Sequence, residues 1–273
     1  MASLLSLPFV ALLGAVPAAN AMSEPAYCST LSGSWDGTTN VCTFTGNYNL
    51  STGTMEVTSG TSLTITDVGA DGIYVASGAT LTVDSGGTIN VKNTGLFGDG
   101  IFNDGTLSNQ GTINVKNSGT DNAGIIVRDG TFSNTGTINI DNSGNVGIDL
   151  ESTLPIVAIL TNFGTINIGN TGGGDGIFVA GGMINNQCSG TINIAASSDS
   201  VGLANEDIVN NYGTITGSVT NLNGGVTNDY SGSCTTHGVP QFPVGMPILF
   251  VLAVSLLLVM RMWSPALRKS VTS

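Results

Sequence analysis

Basic side chains are scarce in this sequence: 6 Lys and Arg stand against 18 Asp and Glu, for a formal charge of −12. So few cations cannot neutralise a run of phosphates, which argues against a nucleic-acid partner. Charge of either sign is scarce too, at 9% of residues, where about 25% is usual. One histidine and four cysteines, with no Cys-x-x-Cys or Cys/His spacing, offer zinc no ligand set. No motif asks for a cofactor. What fills the chain is glycine, 39 of 273 residues. Gly spread this evenly breaks helices, which excludes a helical bundle or coiled coil. Disorder is the other state that low charge and high Gly suggest. Against it, 41% of the residues are apolar, and they recur periodically.

The charges divide along the chain. All 18 acidic residues lie between Glu24 and Asp229, joined only by Lys92, Lys116 and Arg128, so residues 22–243 carry −15. The last 13 residues hold Arg261, Arg268 and Lys269 and no acid. A chain split this way is expected to cross a membrane. Residues 2–19 are small and apolar and lead to Ala19-Asn20-Ala21. That pattern reads as a secretory signal peptide, residues 1–21, cleaved after Ala21. An uncleaved N-terminal anchor is the alternative. Val244–Met260 is uncharged, and residues 244–263 are long enough to span about 30 Å of hydrocarbon as a helix. The basic residues beyond it place 264–273 in the cytoplasm and 22–243 outside.

Between the ends lies a repeat. Gly-Thr-Ile-Asn begins at Gly87, Gly111, Gly136, Gly164 and Gly190, and Gly-Thr-Ile-Thr at Gly213. Gly-Ile or Gly-Leu recurs at Gly72, Gly100, Gly124, Gly147, Gly176 and Gly202. Gly-Thr-Leu-Ser-Asn-Gln (105–110) and Gly-Thr-Phe-Ser-Asn-Thr (130–135) precede the first motif. Each repeat thus holds three short runs of alternating polarity, too short for helices. Three strands per ~25 residues predict an all-β fold, a three-sided parallel β-helix (solenoid) of about six to seven coils over residues 60–232. Residues 22–59 are expected to cap its first coil and 217–238 its last, because open strand edges invite association. A stalk, 233–243, then leads to the transmembrane helix.

Alternation assigns the faces. Ile89, Ile113, Ile138, Ile166, Ile192 and Ile215 point inward, with Val91, Val115, Ile140, Ile168 and Ile194 two residues on. The second strand adds Ile73, Ile101, Ile125, Ile148, Ile177 and Leu203. Corners at Asn93–Gly95, Asn117–Gly119, Asn142–Gly144 and Asn170–Gly172 are expected to use positive φ. Gly172-Gly173-Gly174 has no helix after it, so it is not a phosphate loop.

Two outward rows are candidates for binding. One is a polar ladder: Thr88/Asn90, Thr112/Asn114, Thr137/Asn139, Thr165/Asn167 and Thr191/Asn193. Regular Thr arrays resemble ice-binding solenoid faces, a minor alternative to an ordinary exposed strand. The other is a contact stripe of Tyr74, Phe102, Ile126 and Phe178, interrupted by Asp149. An exposed apolar stripe marks a partner or a cover: the insertion 152–158, a glycan or a neighbouring copy.

No catalytic residues emerge. Asp71, Asp99 and Asp175 share the position before Gly-Ile, and Asp99 and Asp104 read as solvated corner residues. Lys116 and Asp141 read as a surface pair of little worth. A carbohydrate-active β-helix enzyme, a polysaccharide lyase or hydrolase, is the alternative function; it needs carboxylates converging in one groove. Asn49-Leu50-Ser51 is the chain's one Asn-x-Ser/Thr triplet.

Cys28 and Cys42 flank the Trp35-Asp36-Gly37 turn. A bridge there closes a loop of about 15 residues, worth about 3 kcal/mol by loop entropy. It is expected to clip the N-terminal cap. Cys188 and Cys234 then pair by elimination. The C-terminal block Val239-Pro240-Gln241-Phe242-Pro243, followed by a spanning segment and basic residues, resembles the PEF-CTERM sorting signal, with Gln241 where Glu is usual. The resemblance implies an archaeal surface protein and an archaeosortase, a membrane transpeptidase, as processing partner. The repeats over ~60–232 resemble Gly-Thr-Ile-Asn repeats of bacterial and archaeal surface adhesins. The expected function is therefore non-enzymatic: a structural or adhesive solenoid at the cell surface, held in the membrane by its C-terminal helix. It would present its rows to glycans, surfaces or like molecules.

Overall fold

The computed structural model describes residues 20–21, 28–29 and 32–234, except 96–97, 117, 119–121, 142, 154–156, 170 and 196–200. Residues 1–19 of the expected signal peptide, the motif Val239–Pro243, the expected span 244–263 and the expected tail 264–273 lie outside the described residues. So do the corner residues Asn117, Gly119, Asn142 and Asn170.

The chain winds as an all-β parallel solenoid, each coil giving one strand to each of three sheets. The first sheet holds Val41–Thr45, Ser62–Val68, Thr88–Thr94, Thr112–Lys116, Thr137–Asp141, Thr165–Ile168, Thr191–Ile194 and Thr214–Thr216. The second holds Tyr48–Leu50, Ile73–Val75, Ile101–Asn103, Ile125–Arg128, Ile148–Glu151, Ile177–Val179, Leu203–Asn205 and Val219–Asn221. The third holds Thr54–Val57, Thr80–Val83, Thr106–Asn109, Thr131–Asn134, Ala158–Asn162, Gly182–Asn186, Ile208–Asn211 and Val226–Asp229.

The six coils that open on Gly-Thr-Ile follow the repeat as read from the sequence. Residues 41–57, read there as part of a cap, form a rung of their own, paired in register with the next coil in all three sheets. They lack the Gly-Thr-Ile signature but keep the two-residue alternation of buried and half-buried positions. What closes the first sheet is the antiparallel strand Ser34–Asp36. Asn20–Ala21 pairs with Met55 and Glu56 at the edge of the third sheet. That pairing exists in the uncleaved chain only, if cleavage follows Ala21.

Inside, identical side chains stack one per coil. Ile89, Ile113, Ile138, Ile166 and Ile192 are fully buried in one row, and Ile215 at the C-terminal end is only partly so. The second sheet contributes Ile73, Ile101, Ile125, Ile148, Ile177 and Leu203, all fully buried. The third adds Met55, Leu81, Leu107, Phe132, Leu160, Ile184 and Val209. Each such side chain stabilises the fold by roughly 1.5–3 kcal/mol, and its contacts are with neighbouring coils.

The glycines serve two ends. Among the described corner glycines Gly172 adopts the expected positive φ, at 59°, while Gly95 and Gly144 do not. The repeated Gly-Ile glycine is required by close approach. At Gly124 a Cβ would overlap the carbonyl oxygen of Gly147 in the next coil and Cγ2 of Ile140. Only a hydrogen fits where one coil's backbone meets the next.

Side-chain amides reinforce the stack in a way the sequence reading missed. Asn109, Asn134, Asn162, Asn186 and Asn211 occupy one inward position at the end of the third-sheet strands, and all are buried. Each donates from Nδ2 to Oδ1 of the next: Asn109 to Asn134 (2.8 Å), Asn134 to Asn162 (2.8 Å), Asn162 to Asn186 (2.9 Å) and Asn186 to Asn211 (2.8 Å). Asn211 ends the row on Asp229 Oδ1 at 3.0 Å. An ionised carboxylate only accepts, so Asp229 sets the direction of every amide above it. At the other end Asn109 Oδ1 is buried without a donor among the described residues.

The Cys28–Cys42 disulfide forms as expected, with Cα atoms 5.7 Å apart. A side chain at Gly33 would meet both sulfurs. Cys188 and Cys234 are disulfide-bonded as well, and no cysteine is free among the described residues.

Candidate contact face

The second sheet carries the contact stripe. Register places Asn49, Tyr74, Phe102, Ile126, Asp149, Phe178 and Ala204 in one outward row. Their neighbours in sequence point inward, so the row faces away from the core, as alternation requires. Tyr74, Phe102, Ile126 and Phe178 are half-buried rather than bare.

One end of the stripe is an organised cluster. The Tyr74 and Phe102 rings lie 5.6 Å apart at a 55° tilt. The Arg128 guanidinium sits 4.5 Å from the Phe102 ring centroid. It also grips Asp104 in fork geometry, donating from Nε to Oδ1 (3.1 Å) and from Nη2 to Oδ2 (2.9 Å). The Tyr74 hydroxyl donates to Asp104 Oδ2 at 2.8 Å. That carboxylate, largely shielded from water, holds the Tyr74 phenol above its ordinary pKa. Asp104, expected to be solvated, is therefore the hub of the cluster. The arrangement offers a rigid aromatic platform with its cation already neutralised, which suits stacking better than anion capture.

Asp99 departs further from the expectation of a solvated corner. It is buried, 7% exposed, and its Oδ1 accepts the Ala123 N–H at 2.8 Å. Asp71 and Asp175 do the same for Asp99 N (3.1 Å) and Val201 N (3.2 Å). The acid before Gly-Ile is thus a corner clip that takes a backbone donor from the next coil. Burial pushes the Asp99 carboxyl up to about 7. Burial also raises Asp149 to about 7, helped by Glu151 and Asp99 nearby. Asp149 sits between Ile126 and Phe178 in the stripe, and its Oδ1 has no partner among the described residues.

No protein-family model, curated protein or solved structure matches the chain.

Along the first sheet the polar ladder forms as a chain of amides. Asn90 donates to Ser62 Oγ (3.0 Å), Asn114 to Asn90 Oδ1 (2.9 Å), Asn139 to Asn114 (2.8 Å), Asn167 to Asn139 (2.9 Å) and Asn193 to Asn167 (2.9 Å). Thr88, Thr112, Thr137, Thr165 and Thr191 flank this line in register, half-buried. A shorter outward row, Asn228 to Asn210 to Asn185, was not foreseen. Lys116 and Asp141 pair at 3.6 Å with both side chains more than half exposed, worth little. The insertion after Glu151 begins at the corner: Thr153 donates its N–H to Asp129 Oδ1 (2.6 Å) and its hydroxyl to Oδ2. Its middle, 154–156, lies outside the described residues.

The raised carboxyls predict a pH dependence. Between about pH 4 and 7 the folded chain keeps protons on Asp99 and Asp149 that the unfolded chain has lost. Their contribution is most favourable below pH 4 and falls as pH rises to about 7. Asp149→Asn, neutral at every pH, should raise Tm at pH 8 by about 5 °C and leave it unchanged at pH 4. Circular-dichroism melts at the two pH values check this, and equal shifts at both would contradict it.

Proposed function

We propose that the chain is a structural or adhesive solenoid displayed at the cell surface, non-enzymatic, with residues 22–243 outside and the helix 244–263 as its membrane anchor. The observation that carries this reading is the pair of outer faces. One is a wall of Thr and hydrogen-bonded Asn repeated once per coil, the other an aromatic and aliphatic stripe on the adjacent sheet. Both have the one-coil period of the fold. Such periodicity suits contact with a glycan, another surface or a second copy rather than a single small molecule. The oxidised cysteines support an oxidising compartment. An excess of 18 acidic over 6 basic residues in the chain keeps like rods apart except where their faces match. The block Val239–Pro243 with the segment behind it supports handling by an archaeosortase-like enzyme.

Two measurements on the protein in its own membrane test this. A membrane-impermeant label applied to intact cells should reach Lys92 and Lys116; protection of both from label would overturn the surface reading. Mass spectrometry of the mature C-terminus separates the anchors: an intact Ser273 shows a retained helix, and an end within 239–243 shows sortase-type transfer.

A further inference from the structure

We propose that Asn49 is an N-glycosylation site and that the first sugar packs on Tyr74, covering the open head of the contact stripe. The proposal rests on the surface reading, because glycan transfer needs residues 22–243 outside the cytoplasm. Asn49 is exposed between buried Tyr48 and Leu50. Its strand ends the second sheet: it pairs with Ile73–Val75 on one side, and no strand pairs with the other side among the described residues. An extended segment with one free edge is what an enzyme groove takes by strand addition, and Ser51 two residues on completes the acceptor triplet.

The chain has 27 Asn, and Asn49 is the one placed two residues before Ser or Thr. The laddered asparagines, whose amides bond to a neighbouring coil, are followed at that position by Lys, Asp, Gly, Ala, Cys, Gln or Tyr. Transfer would therefore spare every ladder. Register then decides what the sugar meets. Asn49 is the direct partner of Tyr74 in the same outward row, about 4.8 Å away, and Phe102 lies 5.6 Å beyond Tyr74. A pyranose on Asn49 Nδ2 would set its C–H face against that aromatic pair. It would also block the unpaired strand edge, which otherwise invites association.

The step is a glycosyl transfer. Asn49 Nδ2 attacks C1 of an oligosaccharide carried on a polyprenyl diphosphate. The C1–N bond forms, the C1–O bond breaks, the polyprenyl diphosphate leaves with the bonding electrons, and the amide proton passes to base. No oxidant or reductant is required.

The full chain is expressed in a host that exports and N-glycosylates it, beside Ser51→Ala and Asp36→Asn. The last completes a second triplet with Gly37 and Thr38 in an exposed turn. Intact mass should show one glycan on the wild type, none on Ser51→Ala and two on Asp36→Asn. A glycan on Asp36→Asn at the new triplet alone would overturn the proposal while leaving export standing. No glycan on any form would overturn the surface reading, and this proposal with it. Enzymatic deglycosylation should lower Tm in the wild type but not in Tyr74→Ala; an equal loss in both would overturn the packing on Tyr74.

Discussion

Asn162→Asp is expected to destabilise the solenoid by about 3–5 kcal/mol at neutral pH, the cost of an uncompensated buried charge. Asn162 is fully buried. Its Nδ2 donates to Asn186 Oδ1 (2.9 Å), Gly164 O (3.2 Å) and Thr191 O (3.3 Å), while its Oδ1 accepts from Asn134 (2.8 Å) and Gly164 N (3.2 Å). Aspartate keeps the acceptor side and loses the donor side, so an oxygen comes to face three oxygens. Reversing the amides below cannot rescue it. Asn186 would then turn its oxygen to Asn211, and Asn211 its oxygen to the Asp229 carboxylate. Urea unfolding at pH 7 and pH 4 checks the claim. The loss should shrink at pH 4 as the new carboxyl takes a proton. A loss under 1 kcal/mol at pH 7 would mean that the ladder is not directional.

Ile138→Ala should cost about 3 kcal/mol, within the 2–5 kcal/mol usual for a buried Ile cut to Ala. Ile138 is fully buried between Ile113 and Ile166, its register partners on either side. A cavity there interrupts two coil interfaces at once, and in a solenoid each coil depends on its neighbours. Ile215→Ala removes the same atoms from the same row, but Ile215 is only partly buried in the last coil. Its cost should be near 1 kcal/mol. Paired denaturant titrations compare them. Equal losses would show that the end of the row is as well covered as its middle.

That end matters because Val219, Leu222, Val226 and Tyr230 are 38–50% exposed in the last coil. Val219 stands in register with fully buried Leu203, so it holds an inward position that nothing among the described residues covers. Residues 217–238 were expected to act as a cap. Their described part instead continues the winding, through Val219–Asn221 and Val226–Asp229.

The fold was legible because the repeat carries its own geometry. Three alternating runs per coil admit few arrangements, and the inward Ile rows follow from a period of two. The outward stripe was legible for the same reason, whereas Cys28–Cys42 was legible from the short loop it closes. The buried Asn row was not read, although its signal is present: Asn stands two residues before the Gly-Thr of the next strand at Asn109, Asn134, Asn162 and Asn211. Sequence habit assigns Asn to exposed corners, and only stacking shows that its amide can be satisfied inside.

By itself the sequence determined the solenoid, its period and which side of each strand faces the core. These depend on alternation and on glycine spacing, both local properties. Tertiary structure decided everything that depends on what lies one coil away. It turned the acids before Gly-Ile into clips on the next coil's backbone, brought Arg128 onto both Asp104 and Phe102, and set Asp149 between two apolar neighbours with its Oδ1 unpartnered among the described residues. It also traced the need for the glycine before each inward Ile to backbone crowding, a need that positive φ does not create there. Residues about 25 positions apart in the chain become neighbours ~4.8 Å apart only when coils stack, and no local pattern encodes that distance.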